Sequence, residues 1–294
     1  GSPLLESAAD HRVLLVDSDP AVRAAMRADD PAAPVRFVNE PTRLGGELSF
    51  RWVCDAIDAA MLPPGTPGRV DGIVTAPICK AAWHLAGHTR WPGHTELLAS
   101  RLNASRVAMM FAGPSLRVVL ATVHIPLMEV RDVLTIGAVH NAIDLGVWGC
   151  RRLGVENPRV AVCGLNPHAG ENGLLGDEED RLITPAIEVA RGQGVRVEGP
   201  FPADTIFARA VAGEFDLVAA MYHDQGLIPV KLLERDRAVN ITAGLPVVRT
   251  SPDHGTAFDI AGRGVADAGS MTAAIETALR MLRPGAVRPG APVS

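Results

Sequence analysis

Short apolar runs alternate with longer stretches of helix-like polarity along most of this chain. The runs predict strands at 12–16, 72–75, 106–111, 116–121, 159–163, 196–199 and 217–221. The stretches between them predict helices at 49–61, 95–102, 136–153, 178–192 and 205–212. This alternation is the signature of α/β architecture, with parallel strands joined by crossover helices. Four acidic residues at 177–180 open one predicted helix, where they complement its dipole. The Pro- and Gly-rich segment 62–68 reads as an exposed loop rather than a domain linker, because strand-like sequence resumes at once. The Pro/Gly-rich tail 283–294 is expected to fray.

Composition narrows the class without naming a function. At 294 residues the chain can bury a large core in one large or two medium domains. With 47% hydrophobic and 21% charged residues it reads as a globular protein rather than a disordered one. A net charge of -5 gives no electrostatic reason to expect nucleic acid or an anionic membrane as partner. Cys54, Cys79, Cys150 and Cys163 show no metal or disulfide spacing, which suits reduced thiols in the cytoplasm. No apolar run approaches the ~20 residues that span a bilayer, and no export signal opens the chain. Gly1-Ser2 reads as a cloning scar.

Chemistry enters through histidine. Thr-Val-His124-Ile-Pro, Gly-Leu-Asn-Pro-His168-Ala-Gly-Glu and Met-Tyr-His223-Asp-Gln-Gly each follow an apolar, strand-like run and sit beside chain-turning residues. Pro126, Pro167 and Gly226 are hard to reconcile with continuing regular structure. Three neutral imidazoles at strand ends suit a divalent metal that keeps positions open for substrate. Of the nine histidines, His11, His84, His88 and His140 carry no such context and read as structural or surface residues.

Other segments add anion-binding chemistry. In Trp91-Pro-Gly-His-Thr-Glu96 a turn leads into a helix, whose first N–H groups with His94 and Thr95 make an anion site. Lys231, Asn240 and Arg249 lie on later segments and are suited to carboxylate or phosphate. The small-residue segment 253–264 permits close backbone approach to a ligand, but it is not the dinucleotide fingerprint. A phosphate-binding P-loop and a serine nucleophile elbow are also absent.

Taken together, these motifs resemble the 4-hydroxythreonine-4-phosphate dehydrogenase family of vitamin B6 biosynthesis. Val-Thr-Ala-Pro-Ile-Cys-Lys80, Pro-Gly-His-Thr-Glu96, Gly-Leu-Asn-Pro-His-Ala-Gly-Glu171, Pro-Ala-Asp-Thr205, Tyr-His-Asp-Gln-Gly226, Asn-Ile-Thr-x-Gly-Leu-Pro246 and Asp-Ile-Ala-Gly262 occur in the family's order across 71–270. The resemblance implies two α/β/α domains with a cleft between them, as in isopropylmalate and isocitrate dehydrogenases. One would comprise 1–104 plus 240–294 on the cofactor side, the other 105–239 for metal binding and dimerisation. It implies a homodimer whose active site is shared between subunits. His124, His168 and His223 match the ligands of a divalent metal (zinc, magnesium or cobalt). His94, Thr95, Lys231, Asn240 and Arg249 match substrate-binding positions. Asp253, His254, Gly255, Thr256, Asp259 and Gly262 resemble the loop that takes the adenosine side of NAD or NADP.

The implied reaction is oxidation of a secondary alcohol, with hydride leaving to NAD(P) and decarboxylation where the ketone is β to a carboxylate. Lys231, Asp204 and Asp224 are equal candidates for the proton relay. The substrate is expected to resemble 4-phosphohydroxy-L-threonine. A four-carbon sugar-acid phosphate or a cis-dihydrodiol carboxylate are the related alternatives. A catalytically reduced metal- and ligand-binding protein is the reading from a different class. Its motive is a departure from the family, whose glycine-rich opening, Gly-Asp-Pro-x-Gly-Ile-Gly-Pro-Glu, has no counterpart in this sequence.

Overall fold

The computed structural model describes residues 40–235, 237–261 and 263–283. The predicted strand at 12–16, His11 and Gly262 lie outside the described residues. Eight strands alternate with helices: α1 (Arg43–Met61), β1 (Gly72–Val74), α2 (Lys80–Leu85), α3 (His94–Arg101), β2 (Ala108–Ala112), β3 (Arg117–Leu120), α4 (Val130–Val133) and α5 (Ile136–Arg152) open the chain. They are followed by β4 (Arg159–Cys163), α6 (Thr184–Gly192), β5 (Arg196–Phe201), α7 (Ala203–Val211), β6 (Leu217–Ala220), α8 (His223–Glu234), β7 (Val239–Ala243), β8 (Val248–Pro252) and α9 (Gly269–Met281).

All eight strands join one sheet in the order β1-β8-β7-β2-β3-β6-β4-β5. The expectation of uniformly parallel strands is corrected to a mixed sheet. β2 runs antiparallel to β3 and β7, and β7 antiparallel to β8, while β3, β6, β4 and β5 are parallel neighbours. The cause is local: the connections 113–116 and 244–247 are too short for a crossover and close hairpins. α2, α8, α9, β7 and β8 were not among the predicted elements, and the predicted helix 178–192 divides into a π-turn at Glu179–Ile183 followed by α6.

Strands β2, β3, β4 and β6 are apolar apart from Arg117 and Arg159 at the starts of β3 and β4, because both of their faces are covered. Met110, Val119, Val160, Val162, Leu217 and Ala219 turn to one face, against α5, α6 and α9. Their neighbours Phe111, Val118, Ala161, Cys163, Val218 and Ala220 turn to the other, against α7 and α8. That is strand alternation with a core on each side. Helix α5 starts where the Thr135 side chain accepts the Ala138 N–H at 3.1 Å. It then lies directly on the sheet: a Cβ at Gly146 would stand 2.6 Å from Leu217 Cδ2. A third cluster gathers α1, α2, α3 and β1 around Ile57, Trp83 and Leu98. No single helix among the described residues is long and apolar enough to cross a membrane.

Candidate active site

β3, β6 and β4 lie side by side and parallel, so the residues after them emerge at one edge of the sheet. Those residues lead to His124, His223 and His168. The first two segments are tied in register, since the Thr122 N–H and hydroxyl both donate to the Met221 carbonyl, at 3.1 and 2.7 Å. As a result the His124 and His223 rings stand 5.6 Å apart, centroid to centroid. His168 belongs to a separate loop that lines a smaller cavity of about 310 Å³ with Glu171, Glu179 and Thr184. Among the described residues no three His, Cys, Asp or Glu side chains are gathered closely enough in one chain to hold a metal.

The donor set nonetheless suits a divalent metal. His168 Nδ1 lies 2.7 Å from Glu171 Oε2, and His223 Nδ1 lies 2.7 Å from Asp224 Oδ1. A carboxylate can only accept, so each Nδ1 donates, and in the neutral ring Nε2 is the nitrogen with a lone pair for a ligand. This carboxylate–histidine arrangement orients metal-binding imidazoles. The His168 loop is unusual in its backbone. Residues 168 to 173 all have positive φ, and four of them, His168, Ala169, Glu171 and Asn172, are not glycine. Each such residue costs roughly 1–2 kcal/mol, so the loop needs outside support.

A larger cavity of about 660 Å³ lies beside His124. Its wall includes Lys80, His94, Thr95, Asn240, Arg249 and Asp253. Arg249 on β8 is buried, donating to Thr242 Oγ1 at 2.9 Å and Thr75 Oγ1 at 2.7 Å. Its Nε has no partner in the described structure, and neither has the buried Asn240 Oδ1. Burial pushes the Arg249 guanidinium down to about 10, which leaves it charged at neutral pH, and the Glu96 carboxylate opposes the shift. A buried cation and an orphaned carbonyl oxygen on one cavity are the fit expected for an anionic, hydroxylated ligand. His94 and Thr95 open α3 on the same wall. Burial, with the Arg249 and Lys80 cations beside it, pushes His94 down to about 3, so its imidazole is neutral.

The remaining sequence candidates separate. Lys231 Nζ pairs with Asp253 Oδ2 at 2.9 Å, so a substrate candidate and a cofactor candidate neutralise each other. Asp224 is committed to His223, and Asp204 is exposed in the first turn of α7. His254 and Gly255 border the cavity and are exposed, while Thr256 and Asp259 are exposed outside its lining. A Cβ at Gly255 would meet nothing within 4 Å, which leaves the backbone open to the edge of a nucleotide. Sequence reasoning assigned no role to Lys80, Glu96 or Thr75, although Lys80 stands in the motif 74–80 and Glu96 follows Thr95. Their common signal is position after strand β1 and at the start of α3, which only the fold brings to one cavity.

The family described as pyridoxal phosphate biosynthetic protein PdxA matches residues 11–278. A 4-hydroxythreonine-4-phosphate dehydrogenase of Desulfosudis oleivorans is 52% identical over 251 residues, covering 85% of this chain and 72% of the relative. A D-threonate 4-phosphate dehydrogenase of Cupriavidus necator is 49% identical over 233 residues, covering 79% of this chain and 68% of the relative. The crystal structure of 4-hydroxythreonine-4-phosphate dehydrogenase from Klebsiella pneumoniae superposes with a TM-score of 0.75 at 46% identity, covering 86% of this chain and 74% of that one.

Proposed function

The chain belongs to the PdxA family of pyridoxal phosphate biosynthetic proteins, and on that premise we propose that it oxidises 4-phosphohydroxy-L-threonine with NAD or NADP as hydride acceptor. D-threonate 4-phosphate, named for the Cupriavidus necator relative, is the second candidate. The observation that carries this reading is the wall of the larger cavity, where Arg249 Nε and Asn240 Oδ1 are buried without partners. They take the carboxylate and the hydroxyl end of the substrate. His94, Thr95 and Lys80 hold the phosphate, the N–H groups at the start of α3 supplying donors without a charge.

His124, His223 and His168 would hold a divalent zinc, magnesium or cobalt ion, which stabilises negative charge developing on the substrate oxygen. The segment Asp253–Gly255, with Thr256, Asp259 and Gly262 beyond it, would hold the nicotinamide cofactor, which accepts the hydride. Of the three proton-relay candidates, Lys231 is the one paired with a residue of the larger cavity's wall, Asp253. It holds a proton at Nζ for exchange with the substrate hydroxyl or with the enol left after decarboxylation.

We further infer a homodimer in which His168 of one copy completes the His124–His223 pair of the other. The segments that carry the three histidines also expose Met128 (85%), Leu174 (79%) and Leu232 (81%), a set suited to burial against a second copy. The division into 1–104 plus 240–294 and 105–239 belongs to this proposal, with the β7–β2 contact as its seam. The test is turnover of the two phosphorylated acids and a cis-dihydrodiol carboxylate with NAD+ or NADP+ and each metal, followed by absorbance of the reduced cofactor. Oxidation of the dihydrodiol alone, or of none of the three, overturns the assignment.

A further inference from the structure

The loop that carries His168 is bound to the His223 turn by side chains that the proposed reaction leaves unused. Gln225 is buried in the first turn of α8. Its Oε1 accepts the Met221 N–H at 2.7 Å, and its Nε2 donates to the Gly164 carbonyl at 2.8 Å. One side chain therefore bridges the residues that precede His223 and His168. Glu179 is buried more deeply still, and its Oε1 accepts the Leu165 and Asn166 N–H groups at 2.7 and 2.8 Å. The Asn166 amide donates to Glu179 Oε2 at 2.9 Å and to Glu178 Oε2 at 2.8 Å. Glu178 in turn meets Arg131 Nε at 3.0 Å, on the helix that follows the His124 segment.

We propose that Gln225 and Glu179 are positioning residues that hold the left-handed 168–173 loop against the His223 turn, presetting His168 as a ligand before metal binds. The inference rests on the reading of His168 as a metal ligand. A buried carboxylate is costly unless donors surround it, and here three N–H donors from one loop converge on Glu179. The loop is wrapped so closely that a Cβ at Gly170 would stand 2.8 Å from Glu179 Oε2. The acidic run 177–180, which the sequence assigns to a helix dipole, thus turns two of its carboxylates inward. Such supporting shells typically alter metal affinity when removed.

The test compares Zn2+ affinity, by competition with a chromophoric chelator, in the wild type, Gln225→Glu, Glu179→Gln and His168→Ala. Gln225→Glu keeps the acceptor for Met221 but sets an anion against the Gly164 carbonyl. Glu179→Gln keeps one acceptor and loses the bond from the Asn166 amide. Both are expected to weaken Zn2+ binding by about 10- to 100-fold and to recover turnover when Zn2+ is raised. Wild-type affinity in both variants, whatever their melting temperature, overturns the positioning role while His168→Ala still loses zinc. Zinc held normally by His168→Ala overturns the ligand reading and this inference with it. Hydrogen exchange in the wild type tests the same point without a variant. The Leu165, Asn166 and Met221 amides should be equally protected with and without Zn2+, and protection that appears only with Zn2+ overturns the presetting.

Discussion

Arg249 is the residue on which the substrate reading turns. Its guanidinium is buried in the cavity wall, fixed by two threonine hydroxyls, and its Nε is left without a partner. Lysine offers charge without the planar fork, so Arg249→Lys should raise KM for the phosphorylated acid by about 10- to 100-fold, consistent with loss of a charged hydrogen bond. An unchanged KM in steady-state assays would remove Arg249 from the site. His94 supplies a pH signature. Its folded value lies near 3 against an ordinary 6.5, so between these limits the unfolded chain binds the extra proton. Stability therefore falls as pH drops through that window. Melting temperatures measured across it should fall less steeply in His94→Asn than in the wild type. Sequence patterning and the family resemblance made Arg249, Asn240 and His94 candidates for anion binding, and the fold gathers all three on one cavity wall. Lys80 was not legible because one lysine at a helix start looks the same whether it faces solvent or a cavity.

At the scale of elements, α8 shows where local preference is overruled. Gly226 and Pro229 argue against a helix, yet His223–Glu234 is helical because Leu227 and Val230 bury against the sheet. Gly226 is what lets the helix approach: a Cβ there would stand 2.6 Å from Leu120 Cδ2 and 2.8 Å from Val118 Cγ1. Gly226→Ala should cost about 1–3 kcal/mol by overpacking, read as a lowered denaturation midpoint. It should also lower kcat/KM, since His223 begins the same helix. A stability equal to the wild type would show that α8 is not pressed against β3 as described. The boundaries of α5, β4 and β6 were readable within a residue or two, because their apolar patterns are long or continuous.

For the whole molecule the decisive question is which copies supply the metal ligands. If His168 serves the partner's His124–His223 pair, a dimer mixing His168→Ala and His223→Ala chains contains one intact site. Re-associating equal amounts of the two inactive variants should then restore about a quarter of wild-type activity, from random pairing of copies. No recovery, with mixed dimers verified by mass, would place all three ligands in one chain. The sheet adds a lesson at this scale. Alternating runs suggested parallel strands throughout, but two short connections reversed the chain and set Asn240 opposite Ser251 across β7–β8. Both residues line the cavity.

The chemical inventory is legible in the chain alone: the three histidine segments, the candidate anion-binding residues, the α/β class and the family they indicate. These are local signals, carried by residue type, spacing and the periodicity of burial. Tertiary structure alone decided the partnerships: His124 beside His223, Lys231 against Asp253, Gln225 between Met221 and Gly164, and the inward turn of Glu178 and Glu179. The physical reason is separation along the chain. Thr122 and Met221 meet across 99 residues, a pairing set by strand order and register rather than by any pattern within either segment.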